Sequence, residues 1–126
     1  MPHTERKASI LLAEDNSINQ LVLTKMLEKM GHRVASVTNG KEAVEAALKE
    51  QYDLIFMDLH MPIVNGLDAA KAIKQDLKEK SPCIVAVTAN ALKGDREKCL
   101  AAGMNAYVSK PVKRDVILRL LNEYVK

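Results

Sequence analysis

The chain has no tryptophan, one phenylalanine and three tyrosines in 126 residues. Proteins that bind single-stranded nucleic acid stack bases on aromatic side chains, and nucleic-acid binders in general gather basic residues on one face. Here the aromatics are scarce and the net charge of +3 is scattered, so no nucleic-acid partner is expected. The two cysteines, Cys83 and Cys99, lack the spacing of a metal site. Cys83 opens an apolar run and Cys99 falls in an expected helix, so both read as reduced, partly buried thiols. No apolar run approaches the ~18 residues of a membrane span, and no apolar segment follows the polar start "MPHTERK". Neither a signal peptide nor direct membrane contact is expected, and the cytoplasm is the expected compartment. The composition, 48% hydrophobic and 28% charged, suits one soluble domain with one core. That domain is expected over residues 8–126, after a polar tail at 1–7.

What is present is an alternation. "ASILLA" (Ala8 to Ala13), "RVASV" (Arg33 to Val37), "LIFM" (Leu54 to Met57), "CIVAV" (Cys83 to Val87) and "AYVS" (Ala106 to Ser109) are short and nearly continuous apolar runs. Such runs suit strands buried on both faces of a parallel sheet. Helical patterns lie between them. In the first, Ile18, Leu21, Val22, Met26 and Leu27 form an apolar stripe, and Gly31 is placed for a left-handed cap. Asn39 is a candidate N-cap for a second helix that buries Ala43, Val44, Ala47 and Leu48. A third is expected from Gly66 to Asp76, stopped by Ser81-Pro82. A fourth is expected from Leu92 to Ala102, ending at Gly103. A fifth carries Ile117, Leu120, Leu121 and Tyr124 on one stripe. Five strand–helix units predict an α/β fold: a five-stranded parallel sheet with helices on both faces, doubly wound and flavodoxin-like.

Polar residues stand where these strands end. Glu14-Asp15 follows the first, Asp58 ends the third, Thr88 ends the fourth, and Lys110-Pro111 follows the fifth. In a parallel sheet all these ends share one edge, where doubly wound folds bind ligands. With strand order 2-1-3-4-5, Asp15 and Asp58 sit side by side and Glu14 lies close. Carboxylates so close need a cation, and oxygen ligands without cysteine select a hard ion such as Mg²⁺. With Lys110 and the Thr88 hydroxyl they make a pocket for an anion, best a phosphoryl group. A carboxylate can itself be the nucleophile and form an aspartyl-phosphate, and Asp58 is the best-placed candidate.

"LLAEDNSINQ", "IFMDLHMPIVNGLDA", "IVAVTAN" and "GMNAYVSKPV" resemble the receiver (response-regulator) domain of two-component signalling, over about Ala8 to Val125. The wording of "EDNSINQ", "TANAL" and "GMNAYVSKPV" is most similar to the receivers of hybrid sensor histidine kinases. The resemblance implies a phosphorelay protein in which Asp58 takes a phosphoryl group from a phosphohistidine. It implies Mg²⁺, with Mn²⁺ as a substitute, held by Asp15, by Asp58, by Glu14 through water and by the backbone carbonyl of His60. Lys110 would pair with the phosphoryl group, Thr88 would move to hydrogen-bond it, and Tyr107 would be the switch aromatic. Pro111 would follow a cis peptide bond. His60, Ala89, Asn90 and Pro111 would rim the pocket, with His60 and Asn90 tuning the lifetime of the acyl phosphate. The implied partner is a histidine kinase or histidine-phosphotransfer protein. A phosphorylation-dependent partner or dimer would use the face of the fourth helix, fifth strand and fifth helix, decorated by Lys93, Arg96, Lys113 and Arg114.

Plainer readings stand beside these. Glu14-Asp15 reads equally as a solvated strand end, Thr88 as a helix cap, Lys110 as a surface lysine, and Pro62 with Asn65-Gly66 as a turn. Tyr107 reads also as a cover for the sheet edge, its hydroxyl in water. His3 and His32 read as surface residues. A haloacid-dehalogenase-type phosphatase would carry a second Asp where His60 stands. A binding module that is never phosphorylated would have lost one of the acidic residues, the Thr or the Lys, all retained here. On this reading the domain is a phosphoacceptor and not an enzyme in its own right. Its parent is expected to be a hybrid kinase, the alternative being a stand-alone single-domain regulator.

Overall fold

A computed structural model describes residues 7–61, 64–89 and 93–125. Five strands, β1 (Ser9–Ala13), β2 (Arg33–Val37), β3 (Leu54–Asp58), β4 (Cys83–Thr88) and β5 (Ala106–Ser109), form one sheet in the order β2-β1-β3-β4-β5. Every pairing is parallel. The helices are α1 (Ser17–Lys29), α2 (Gly40–Lys49), α3 (Gly66–Leu77), α4 (Asp95–Ala101) and α5 (Arg114–Tyr124). This is the expected doubly wound architecture.

Alternation along the strands divides the core. Leu11, Ala13, Ile55, Met57, Ile84 and Ala86 face α2, α3 and α4, whereas Ile10, Leu12, Leu54, Phe56, Val85 and Val87 face α1 and α5. Period-two geometry sends successive side chains to opposite faces. Because both faces are covered, the central strands read as unbroken apolar runs. Each fully buried Leu, Ile or Phe contributes about 1.5–3 kcal/mol relative to exposure. The edge strands differ from expectation. No residue of β2 or β5 is fully buried, because an edge strand has a neighbour on one side only.

The stripe expected on α1 also divides. Leu23 and Leu27 are buried against the sheet and Met26 packs beside them. Ile18, Leu21 and Val22 instead are 70%, 55% and 53% exposed. The helix is apolar on two faces, and the sheet covers one. Leu48 of α2 is likewise exposed, whereas Ala43 and Ala47 are buried as expected.

Local signals behave largely as read. Asn39 caps α2 by accepting from Glu42 N–H at 2.8 Å, and Gly31 and Gly103 end their helices with positive φ. A 3₁₀ turn (Lys78–Lys80), whose first residue has φ of 52°, extends α3 before Ser81. α4 starts at Asp95, later than the expected Leu92, because Lys93 and Gly94 form a turn and Gly94, with φ of 89°, cannot continue a right-handed helix. Leu92 itself, His3 and most of the tail lie outside the described residues. Cys83 is half-buried and Cys99 buried, both as free thiols. His32 is no plain surface residue. Its Nδ1 accepts from Ala8 N–H at 3.1 Å, and burial lowers its pKa against the smaller opposing pull of Asp53.

The division of α1 predicts opposite outcomes for two similar substitutions. In urea denaturation Leu27→Ala loses about 2–5 kcal/mol through the cavity it leaves. Leu21→Ala stays within about 0.5 kcal/mol of the parent.

Candidate functional site

The sheet order makes β1 and β3 neighbours, with Ala13 opposite Met57, so the residues that follow Ala13 and Met57 emerge together. Glu14, Asp15 and Asp58 lie together, each with a carboxylate oxygen within 4.8 Å of the others. Glu14 and Asp58 are 1% and 5% exposed. Asp15 is exposed. The acidic pair is therefore unequal: its first member turns inward and its second faces solvent.

Lys110 supplies the countercharge. Its Nζ lies 2.6 Å from Glu14 Oε1 and 3.1 Å from Asp58 Oδ2. β5 aims it there, since Lys110 N–H donates to the Thr88 carbonyl at 2.8 Å and extends the β4–β5 ladder one step past Ser109. The Lys110–Pro111 peptide is cis, as expected. Thr88 is fully buried at the end of β4, and Ala89 after it is exposed. The second oxygens are held by backbone: Glu14 Oε2 accepts from Asn16 N–H at 3.1 Å, and Asp58 Oδ1 from His60 N–H at 3.0 Å. The side chains of His60 and Pro111 are exposed at the rim, and Asn90 lies outside the described residues. Lys93, Arg96, Lys113 and Arg114 are all exposed.

Burial pushes the Glu14 carboxyl above its ordinary range; Lys110 and the Asn16 N–H oppose this, and Asp58 adds to it. For Lys110, burial pulls the ammonium down, but hydrogen bonds to Glu14 and Asp58 outweigh it and leave the pKa raised. When all are ionised, three carboxylates against one ammonium leave two negative charges. An all-oxygen cluster with one member open to water fits a hard divalent ion that keeps part of its hydration.

Tyr107 departs from the plain reading. Its ring packs against the core on the α2–α3 side, and its hydroxyl is buried with no hydrogen-bond partner among the described residues. Three supporting residues carried no functional reading in the sequence. Asn16 both caps α1 and serves Glu14; a polar residue just before an apolar helix was the available signal. Gln20 Nε2 donates to the carbonyls of Glu14 and Val37 at 3.2 and 3.1 Å, tying α1 to the ends of β1 and β2. Gly66, read as part of a turn, opens α3 directly against the Asp58 backbone.

The model of the response regulator receiver domain family matches residues 10–122. The chain belongs to this receiver family. Curated relatives include a probable histidine kinase of Oryza sativa subsp. indica, 39% identical across 97% of this chain and 16% of its own length. The hybrid signal transduction histidine kinase B of Dictyostelium discoideum is 38% identical across 97% and 7%. The chain thus spans less than a fifth of these kinases. The response regulator DivK of Brucella anthropi is 34% identical across 93% of this chain and 95% of its own. Among solved structures, the receiver of the Pseudomonas aeruginosa sensor histidine kinase PA1611 has a TM-score of 0.86 and 44% identity, covering 94% of this chain and 98% of its own. Its active-site cleft holds a magnesium ion. The receiver of Saccharomyces cerevisiae Ssk1, solved with the histidine phosphotransfer protein Ypd1, has a TM-score of 0.87 and 34% identity, covering 94% and 88%. Family membership removes the haloacid-dehalogenase alternative.

Lys110→Met leaves Glu14 and Asp58 buried without their cation. In buffer with EDTA at pH 7 it costs about 3–5 kcal/mol. Lys110 is the side chain that holds the Glu14 carboxyl down against burial. In the variant that carboxyl is expected further above the ordinary 4.5, and between the two values the folded state holds a proton that the unfolded state has released. Part of the loss is therefore regained as pH falls through the raised value toward 4.5. Urea denaturation across that window checks the sign; a variant as stable as the parent at every pH would contradict it.

Proposed function

We propose that Asp58 is the phosphoacceptor of a two-component phosphorelay. A carboxylate oxygen of Asp58 attacks the phosphorus of a phosphohistidine, the P–N bond breaks, and the imidazole leaves with its electron pair. The observation that carries this is the carboxylate itself: buried, held at one oxygen by the His60 N–H and at the other by the Lys110 ammonium, beside two further carboxylates. Asp15, Asp58, Glu14 through water and the His60 carbonyl are the residues to hold Mg²⁺, with Mn²⁺ able to replace it. The ion supplies positive charge for the phosphoryl oxygens. Lys110 pairs with the arriving phosphoryl group and the Thr88 hydroxyl hydrogen-bonds it. The domain so speeds its own phosphorylation and dephosphorylation without being an enzyme on other substrates.

The donor docks on α1. Ile18, Leu21 and Val22 form an exposed apolar face, and a cleft lined by Asn19, Val22, Leu23, Lys110, Pro111 and Val112 leads from that helix to Lys110. A histidine-phosphotransfer protein or the phosphohistidine domain of a kinase is the occupant, in line with the Ypd1 complex of the related receiver. Thr88 and Tyr107 act as the switch, biasing the face of α4, β5 and α5 toward a partner or a second copy. The similarity to hybrid kinases favours a receiver at residues 8–126 within such a kinase, cytoplasmic and with a parent that is membrane-anchored or free. The stand-alone alternative has its support in DivK, nearly all of which the chain covers, at a lower identity than the kinases.

Intact mass after incubation with Mg²⁺ and acetyl phosphate is expected to show one added phosphoryl group. It is removed by hydroxylamine, blocked by EDTA and absent from Asp58→Asn. Its persistence in Asp58→Asn would move the acceptor elsewhere. Leu21→Asp separates docking from chemistry: transfer from a phosphorylated histidine-phosphotransfer protein falls about tenfold or more, a loss of ~1.4 kcal/mol or more, while the acetyl phosphate reaction keeps its rate. Equal loss in both reactions would argue against α1 as the docking face.

A further inference from the structure

Two glycines allow backbones to approach around the Asp58 loop. At Gly66 a Cβ would overlap the Asp58 carbonyl oxygen and come within 2.9 Å of Leu59 Cα. At Gly40, the first residue of α2, a Cβ would overlap the Val64 carbonyl oxygen and come within 2.6 Å of its carbon. Gly31 offers a contrast, since a Cβ there meets nothing within 4 Å. Two helices therefore close on the segment that follows Asp58, its own α3 and the sequence-distant α2.

The start of α2 cannot easily retreat. Asn39 Oδ1 accepts from Glu42 N–H at 2.8 Å, while Glu42 Oε1 accepts from Thr38 N–H and Oγ1 at 3.0 and 3.1 Å. The Asn39 cap and the reach of Glu42 back to Thr38, one residue before it, fix the first turn. Ala43 is fully buried one turn on. On the other side, Asn65 caps α3 by accepting from Asp68 N–H at 2.9 Å, and Gly66 N–H donates to the Leu59 carbonyl. A methyl group at position 40 would therefore push the Val64 peptide. That peptide is two residues from Gly66, which lies on Asp58.

We propose that Gly40 is a positioning residue for Asp58, acting from α2 through the Val64 carbonyl. Its missing side chain lets α2 close on Val64, and Gly66 two residues on lies against the Asp58 carbonyl and donates to Leu59. The proposal rests on Asp58 being the phosphoacceptor. A misplacement of about 1 Å at a reacting group is enough to cost up to 10²-fold in rate.

The test compares the parent, Gly40→Ala and Gly31→Ala in acetyl phosphate reactions at saturating Mg²⁺, with thermal denaturation of each. Gly31 has φ of 95°, so alanine there is strained and lowers stability without touching the loop. Trimethylamine N-oxide, added to every sample, holds all three variants folded. Gly40→Ala is expected to slow phosphorylation at least fivefold while Gly31→Ala keeps the parent rate. Adding Val64→Gly to Gly40→Ala frees that peptide to turn and is expected to restore part of the rate, although it lowers stability further. Parent-like phosphorylation by Gly40→Ala, or equal slowing by Gly31→Ala, overturns the positioning role alone. No phosphoryl gain by the parent overturns the Asp58 reading and this proposal together.

Discussion

One ammonium stands between two buried carboxylates, and the arrangement of the fold follows from how it gets there. Glu14 and Asp58 leave adjacent strands because the order reverses between β1 and β3. Lys110 arrives from the far edge of the sheet, one step past β5. Withdrawing a charge from water costs several kcal/mol even after relaxation. One cation cannot offset that for both anions, and Asp15 adds a third. The site keeps an excess of negative charge that a divalent ion fits, and the Glu14 carboxyl is raised first by its burial, with Asp58 adding a smaller push.

The proposed function divides the work between two surfaces. The apolar face of α1 and the cleft to Lys110 lie on the side where a donor would approach. Tyr107 sits on β5 with its ring on the α2, α3 and α4 side of the sheet and its hydroxyl buried and unpaired among the described residues. A buried unpaired hydroxyl costs about 1–3 kcal/mol. That is close to the gap over which a two-state protein shifts its populations, so in the proposed switch one hydrogen bond gained or lost near Tyr107 would be enough to move the balance. On the proposed function, chemistry at Asp58 and docking at α4, β5 and α5 would be linked through the ends of β4 and β5.

Much of this was legible in the order of residues. Apolar runs broken by Glu14-Asp15, Asp58, Thr88 and Lys110 located the strand ends and, with the doubly wound order, the pocket. The rest depended on neighbours that a linear pattern does not reveal. The runs at Arg33–Val37 and Ala106–Ser109 resemble central strands, because an apolar run does not say how many strands flank it. On α1 the stripe from Ile18 to Leu27 holds two faces, and only the packed sheet separates Leu23 and Leu27 from Ile18, Leu21 and Val22. Glu14 and Asp15 look alike in sequence, yet Lys110 and the Asn16 N–H draw one inward. Gly40 stood unread beside the Asn39 cap and Gly66 read as part of a turn, since a close approach between distant backbones leaves no local trace.

The most direct measurement is a crystal structure with Mg²⁺ and beryllofluoride, a stable mimic of the phosphoryl group. The account predicts the beryllium of the mimic bonded to an Asp58 carboxylate oxygen, its fluorines in place of the phosphoryl oxygens, and the metal between Asp15 and Asp58. The Lys110 ammonium would have left Glu14 for a fluorine, with the Thr88 hydroxyl drawn to another. A structure in which Lys110 stays between Glu14 and Asp58 and the mimic binds elsewhere would contradict it.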